Sequence, residues 1–334
     1  MRLIISALLL CSSLVVAAEP EVIVKLATVA PEGSPWAQAL TDFKKKAESA
    51  ANGKLRVKLF LGGTLGDEND TVMAVKRGQI QAFGGSTGAL ASQVPEFNML
   101  ELPYLFNNLE EADYVLSKVV KDDIAKACAD RGVQFGFWSE NGLRSFGGKF
   151  KIASPEDLKG RKMRSQDNPI HLTMYRTFGA SPVPVPTTEA LTALQTGAVD
   201  GYDQSALYLF AASWHTASKN FAVTNPIYQP AAIVYNKAAW DAWPPEVREA
   251  LTAAGAAIEE DLRKKVRAMT PILIKNLQEL GVEVNVLSDA ELAPFKKLAE
   301  KSRAESVKAA SKTEKALYEK MNKGLTAYRS GKAK

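Results

Sequence analysis

Strand-like and helix-like patterns take turns along this chain, and that alternation restricts its fold more than any other feature. Val22, Val24 and Leu26 alternate with Ile23, Lys25 and Ala27, which predicts a strand running to the turn at Pro31-Glu32-Gly33. Ser34-Pro35 then opens a helix, with a hydroxyl N-cap and a proline whose missing N–H costs nothing in the first turn. Trp36, Leu40, Phe43 and Ala47 form its apolar face. Leu55, Val57 and Leu59 alternate with Arg56 and Lys58 as a half-exposed strand. Residues 67–77 read as a helix that stops at Gly78, ahead of a short strand over 80–83. Residues 108–130 read as one helix ending at Gly132, and 133–138 as the next strand. Such alternation produces parallel sheets covered by helices, an α/β fold.

A second series starts near residue 142. Ser154-Pro155-Glu156-Asp157 is a capped turn, 162–164 a short strand, and Asn168-Pro169 the start of a helix through Phe178. Another helix over 188–196 stops at Gly197, before 198–202. The segments "AVKRGQIQAFGG" and "ALQTGAVDGYDQ" share a helix end, a glycine and a short strand entering a glycine-containing turn, which predicts a duplicated lobe. From Pro244-Pro245-Glu246 a helical pattern runs to about Leu280, with a kink or break expected at Pro271. A strand over 282–286 and Ala/Lys/Glu-rich helix complete the chain.

The N-terminus carries an address. Arg2 precedes an uncharged stretch from Leu3 to Val16, and Val16-Ala17-Ala18 offers small residues for cleavage, so residues 1–18 read as a secretory signal peptide and the mature protein as periplasmic. The apolar run is shorter than the ~20 residues a membrane-spanning helix needs. Cleavage removes Cys11, leaving Cys128 alone as a small buried hydrophobe, and takes the formal net charge from +5 to +4. The charges are interspersed except at the C-terminal end, so there is no basic stripe for nucleic acid. Two histidines and two cysteines leave almost nothing from which to build a His-based triad, a multi-His zinc site or an iron–sulfur cluster. No G-x-S-x-G, H-E-x-x-H or C-x-x-C occurs, and Gly62 to Gly66 lacks the ending of a phosphate loop. His171 and His215 read as structural or surface residues. No catalytic residue, metal or cofactor is expected.

Two arginines stand out. Arg144 is placed in the turn after the strand 133–138, and Arg164 at the end of the strand 162–164. In open α/β sheets ligands sit beyond the carboxyl ends of strands, and a guanidinium offers a fork of donors matched to a carboxylate. Spacing alone allows either arginine to pair with a neighbouring Asp or Glu instead.

The runs "LGGTLGDENDTVMAVKRGQIQAF", "LELPYLF", "SPEDLKGRKMR", "FGASPVPVPTTEALTALQTGAVDG" and "YNKAAWDAWPPEVREAL", in this order, carry a resemblance. The chain resembles the DctP-type substrate-binding proteins of TRAP (tripartite ATP-independent periplasmic) transporters over almost its whole mature length. That resemblance implies a two-lobed α/β periplasmic-binding-protein (Venus flytrap) architecture with a long bracing helix. Lobe I would comprise 19–141 plus about 228–268, and lobe II 142–227 plus about 269–334. It also implies a monomeric receptor that closes on a small organic acid and delivers it to the small and large membrane subunits of an ion-driven permease. The family's carboxylate-pairing arginine falls on Arg164 in "KGRKMRSQDN", and a second cleft arginine on Arg144 in "ENGLRSF".

Where the family commonly has "VDGQENP" this chain has "VDGYDQSA", so Gln204 takes the Asn place, Tyr202 replaces a Gln and Ser205 a Pro, putting a longer amide and a phenol at the cleft. The same alignment brings the Ser86 and Thr87 hydroxyls to the cleft. It puts Thr187 where sialic-acid-binding members have an aromatic, against a bulky sugar acid. Trp36, Trp138 and Tyr228 are its candidates for lining the pocket. Two arginines on the ligand would favour a dicarboxylate. An Arg144 tied up by Glu140 or another acid would favour a monocarboxylate with an apolar or aromatic body, and the nearby Trp and Tyr content tilts toward that. Two other readings remain: an exported enzyme acting on an anionic substrate with Asp203 as its base, and the same receptor serving a sensor kinase or an ATP-driven importer.

Overall fold

Local signals set the first elements. Ser34 caps the helix Pro35–Ala50 by accepting from the Ala37 N–H at 3.2 Å, and Trp36, Leu40, Phe43 and Ala47 are buried along one face. The computed structural model describes residues 20–332, so the expected signal peptide and its cleavage site lie outside the described residues. Nine strands are present among them: β1 (Val22–Ala27), β2 (Leu55–Phe60), β3 (Ala82–Ser86), β4 (Val133–Gly148), β5 (Lys162–Ser165), β6 (Ser181–Pro184), β7 (Gly201–Ser205), β8 (Asn220–Asn236) and β9 (Glu283–Val286).

Their order is β2-β1-β3-β8-β4-β7-β5-β6, with β9 added to β8. The order is palindromic in kind. β1 runs parallel to β2 and β3, and β5 runs parallel to β6 and β7. Each trio then meets a long antiparallel strand, β8 on one side and β4 on the other. The two echoing segments fall on the equivalent strands β3 and β7. Both strands end in a serine that caps the next short helix: Ser86 accepts from Ala89 N and Ser205 from Tyr208 N. A duplicated unit gives this arrangement.

β4 and β8 pair with each other and pass from one half to the other, with register shifts at Phe135/Phe137, Glu140/Gly142 and Arg144/Phe146. Here the sequence reading is corrected. Asn141-Gly142 is an irregularity inside a continuing strand, with Gly142 at φ +86°, because β8 supplies hydrogen-bond partners on both sides of it. Arg144 therefore sits within β4 and not in a turn after it.

Three further expectations change. The helix expected over 108–130 is an α-helix Leu109–Tyr114, a π-helical turn Val115–Val119 and an α-helix Lys121–Ala129. The wide turn lies where the helix Lys312–Arg329 presses in: a Cβ on Gly324 would stand 2.7 Å from Val119 Cγ2. Pro271 does not break the helix Pro245–Glu279, because it lies on the exposed side while Val266, Leu273 and Leu277 pack inward. Thirty-five residues span roughly 50 Å, enough to reach along both halves. The helix Lys312–Arg329, expected with lobe II, packs on first-half elements instead: Leu317, Met321 and Leu325 share a cluster with Phe97 and Val115.

The long helix lies tight on β4 at Gly255, where an added Cβ would be 2.3 Å from the Phe137 ring. Alanine there gains about 1 kcal/mol in helix propensity, yet overpacking costs about 1–3 kcal/mol. Gly255→Ala is therefore expected to lower stability by about 1 kcal/mol in urea unfolding; an increase would mean that the helix is free to lift away.

Candidate functional site

β5 is flanked by β7 and β6, and this holds Arg164 at the centre of the second half, opposite Tyr202 and Val183. The side chain is only 1% exposed. Its Nε donates to the Val185 carbonyl at 3.0 Å and its Nη2 to Thr187 Oγ1 at 2.8 Å, while the guanidinium carbon lies 5.4 Å from the Trp214 ring centroid. Nη1 is buried with no hydrogen-bond partner, and among the described residues no carboxylate stands within 4 Å of this guanidinium. Burial, followed by the like charge of Arg144, pushes its pKa down from the ordinary arginine value. A cation in that state attracts any anion that can reach it.

Arg144 is equally buried but fully engaged. Its Nε pairs with Asp203 Oδ2, its Nη2 with the Asp203 carbonyl, and its Nη1 with Gln204 Oε1 at 3.0 Å and Gln229 Oε1 at 2.8 Å. The β4–β7 register, with Arg144 opposite Ser205, brings these groups together. Asp203 also accepts from Tyr175 Oη at 2.8 Å and lies 3.3 Å from His171 Nδ1, while His171 Nε2 meets Glu101 Oε2 at 2.7 Å. Burial opposes the charge on Asp203, but Arg144 and His171 outweigh it and hold the carboxyl far below the usual range. His171 moves the other way: burial opposes its charge, yet Asp203 and Glu101 raise its pKa. Asp203 is thus locked in ion pairs, which leaves it unfit as the base of the enzyme reading.

The cleft between the halves has two connected parts. One is lined by Val29, Trp36, Arg144, Gln204, Leu207 and Tyr208, the other by Arg164, Asp67, Asp70, Asp167 and Pro184 to Thr187; Glu68, Gln166 and Thr187 border both. Hydrogen bonds cross it: Gln166 Nε2 to Glu68 Oε2 at 3.2 Å, Asn168 Nδ2 to the Gly88 carbonyl at 3.1 Å, Thr188 N to Asp67 Oδ1 at 3.3 Å and Tyr208 Oη to the Val29 carbonyl at 3.3 Å. The two halves are closed on each other.

Of the residues expected here, Arg164, Arg144, Gln204, Trp36 and Thr187 come together at the cleft. Trp36 also anchors to β4, its Nε1 donating to the Glu140 carbonyl at 2.8 Å. Thr187 takes a part unforeseen in the sequence, fixing the Arg164 fork. Ser86 lies one layer back, bonded to Glu68. Thr87 is turned inward onto Glu101 and the Pro230 carbonyl. Trp138 is a correction: it lies in the first-half core between Phe97 and Phe135, with its Nε1 on the Leu116 carbonyl, because its strand faces that cluster. Tyr228 is another: it borders a separate pocket with Phe106 and Leu143, its hydroxyl on Glu140. The Tyr202 phenol also misses the cleft. It reaches Ser218 in the core and stacks edge-on against Trp214 at 5.2 Å. Glu68, Gln166, Gln229 and Trp214 were not anticipated; only the acid-rich "LGDEND" hinted at the first.

The model of bacterial extracellular solute-binding protein family 7, DctP, matches residues 26–323. A solute-binding protein of Verminephrobacter eiseniae (strain EF01-2) is 31% identical over 253 residues, 72% of this chain and 76% of that protein. Among solved structures, the sugar acid binding protein DctPAm from Advenella mimigardefordensis strain DPN7T, in complex with galactonate, superposes with a TM-score of 0.85 at 26% identity, covering 92% of this chain and 99% of that one. A TRAP periplasmic solute binding protein from Bordetella bronchispeptica, with density assigned to pantoate, gives 0.82 at 28% identity over 89% and 98% of the two chains. The match runs through both halves of the sheet and every strand but the start of the first, so the chain belongs to bacterial extracellular solute-binding protein family 7, the DctP-type receptors of TRAP transporters.

Proposed function

We propose that this protein is a periplasmic receptor that closes on a small monocarboxylate, holds its carboxylate on Arg164 and presents it to the small and large membrane subunits of a TRAP transporter. The observation that carries the reading is the Arg164 guanidinium, buried, oriented by Val185 and Thr187, and left with one unpaired nitrogen. Arg144 is neutralised by Asp203, so a second carboxylate would have no free cation to meet. Trp36, Val29, Leu207 and Tyr208 offer apolar contacts for the ligand body, and the Gln204 amide and Glu68 offer polar ones. Galactonate, bound by one similar protein, and pantoate, to which density in another is assigned, are monocarboxylates with hydroxyls that such a surface suits.

Closure would hinge where β4 and β8 change register, near 140–146 and 222–230. We assign 19–141 and about 228–268 to the first lobe, together with 312–329, and most of the remainder to the second. The protein works as a monomer exported by way of residues 1–18. The test is a thermal-shift panel of galactonate, pantoate, lactate, pyruvate and succinate. Stabilisation follows RT ln(1 + [L]/Kd), so a monocarboxylate is expected to raise the melting temperature and succinate to do so least. A panel in which succinate is the strongest binder contradicts the single-carboxylate assignment.

A further inference from the structure

Glu68 is the one buried acid among the four that line the Arg164 side of the cleft. Asp70 and Asp167 are exposed and Asp67 is half-buried, whereas Glu68 is 5% exposed. Its Oε1 accepts from Ser86 N at 2.8 Å, and its Oε2 from Ser86 Oγ at 2.9 Å and from Gln166 Nε2 at 3.2 Å, across the cleft. Gly85 makes room for it, since a Cβ there would lie 2.5 Å from Oε1. Among the described residues no basic group lies within 4 Å of this carboxyl. The charged and titratable groups around it are Asp67 and Asp70 on its own helix, Arg164 on β5, Asp167 just beyond β5, and the phenol of Tyr208 from the facing helix.

This leaves an imbalance once an anion arrives. The ligand carboxylate and Glu68 would share one low-dielectric chamber with a single uncommitted guanidinium, because Asp203 already neutralises Arg144. Two carboxylates in one such site do not both stay ionised. Glu68, buried away from water and without a basic partner, is the acid that gives way. We propose that binding of a carboxylate beside Arg164 takes up one proton, carried by Glu68 as its carboxylic acid. Protonation is a plain transfer from solvent: Glu68 Oε2 gains O–H and donates to a ligand oxygen, while Oε1 still accepts from Ser86 N and Oε2 from Ser86 Oγ. Gln166 Nε2 is not stranded, for it also lies 3.2 Å from Ser86 Oγ. Burial above all, with Asp67 adding to it, already pushes this carboxyl up to about 7, so near neutral pH the receptor is poised to take the proton.

The inference rests on the carboxylate reading, and the test separates the two. Isothermal titration with the panel acid giving the largest thermal shift is run from pH 7 to 9, in triethanolamine and in Tris, two cationic buffers with different heats of ionisation. The wild type is expected to weaken with rising pH, approaching tenfold in Kd per unit above the pKa of the free receptor, the limit for one linked proton. Its observed heat should also differ between the two buffers. Glu68→Gln keeps the shape and should give a flat profile with no buffer dependence. A wild type that binds with a flat profile and buffer-independent heat overturns the proton step alone, and so does an unchanged slope in Glu68→Gln. A wild type that binds no carboxylate at any pH overturns both. The buffer comparison on the wild type decides the matter even if the variant folds poorly.

Discussion

Arg164→Met is expected to abolish most carboxylate binding while leaving the unliganded protein at least as stable. The substitution keeps an apolar stem against Trp214 and removes the charge. Truncating one partner of a desolvated charge pair costs 2–5 kcal/mol or more, so we expect a loss of about 3 kcal/mol, roughly 150-fold in Kd. The stability side has the opposite sign. Here the cation is buried with an unpartnered Nη1 and no carboxylate beside it, so an apolar replacement of similar size should be neutral or favourable. Arg164→Lys retains the charge but loses the fork held by Val185 and Thr187, and should fall between the two. Calorimetry and thermal unfolding on the three proteins decide it. A Met variant that binds normally, or one that unfolds many degrees lower, contradicts this picture of the site.

Asp203→Asn is expected to produce the largest stability loss. The carboxylate neutralises Arg144, faces His171 and accepts from Tyr175. Asparagine keeps the shape but leaves the buried Arg144 guanidinium facing a neutral amide, and breaking a buried pair in this way costs about 3–5 kcal/mol. The pH dependence has a definite sign. Asp203 is held below its ordinary 3.8, so its contribution is present above that value and is lost as pH falls through the folded-state pKa. His171 is raised above its ordinary 6.5, so its contribution is complete below 6.5 and is lost as pH rises through the folded-state pKa. Between about pH 4 and 6.5 both act together. Urea unfolding at pH 5 and pH 8 should show a wild type favoured at pH 5 by this pair. In Asp203→Asn that advantage should shrink, because His171 loses the charge that raised it. Equal stabilities for the two proteins would show that the network is idle.

Much of the fold was legible because its signals are local. Ser34-Pro35, the alternation in Leu55–Phe60, and the glycines closing helices at Gly78, Gly132 and Gly197 act within a few residues, and each closing glycine adopts the positive φ that its place demands. What escaped depends on distant partners. Asn141-Gly142 has the composition of a turn, and only β8 alongside makes it a kinked strand. The π-turn at Val115–Val119 answers a helix about two hundred residues later in the chain. The same holds at the site. Position and chemistry suffice to single out Arg164, but whether Arg144 is free depends on Asp203, 59 residues away on a neighbouring strand. Nothing periodic in "LGDEND" distinguishes the buried Glu68 from the half-buried Asp67 and the exposed Asp70.

The most direct test of the central claim is a cycle on both partners of the proposed ion pair: the strongest panel acid and its primary amide, each titrated into the wild type and into Arg164→Met. The amide has nearly the same shape as the acid and lacks only the charge. For the wild type, acid over amide is expected to be worth 100-fold or more, about 3 kcal/mol. In Arg164→Met the preference should vanish, giving a coupling energy of similar size. If the variant still prefers the acid as strongly as the wild type does, the carboxylate is held elsewhere and Arg164 is not the receptor's anion site.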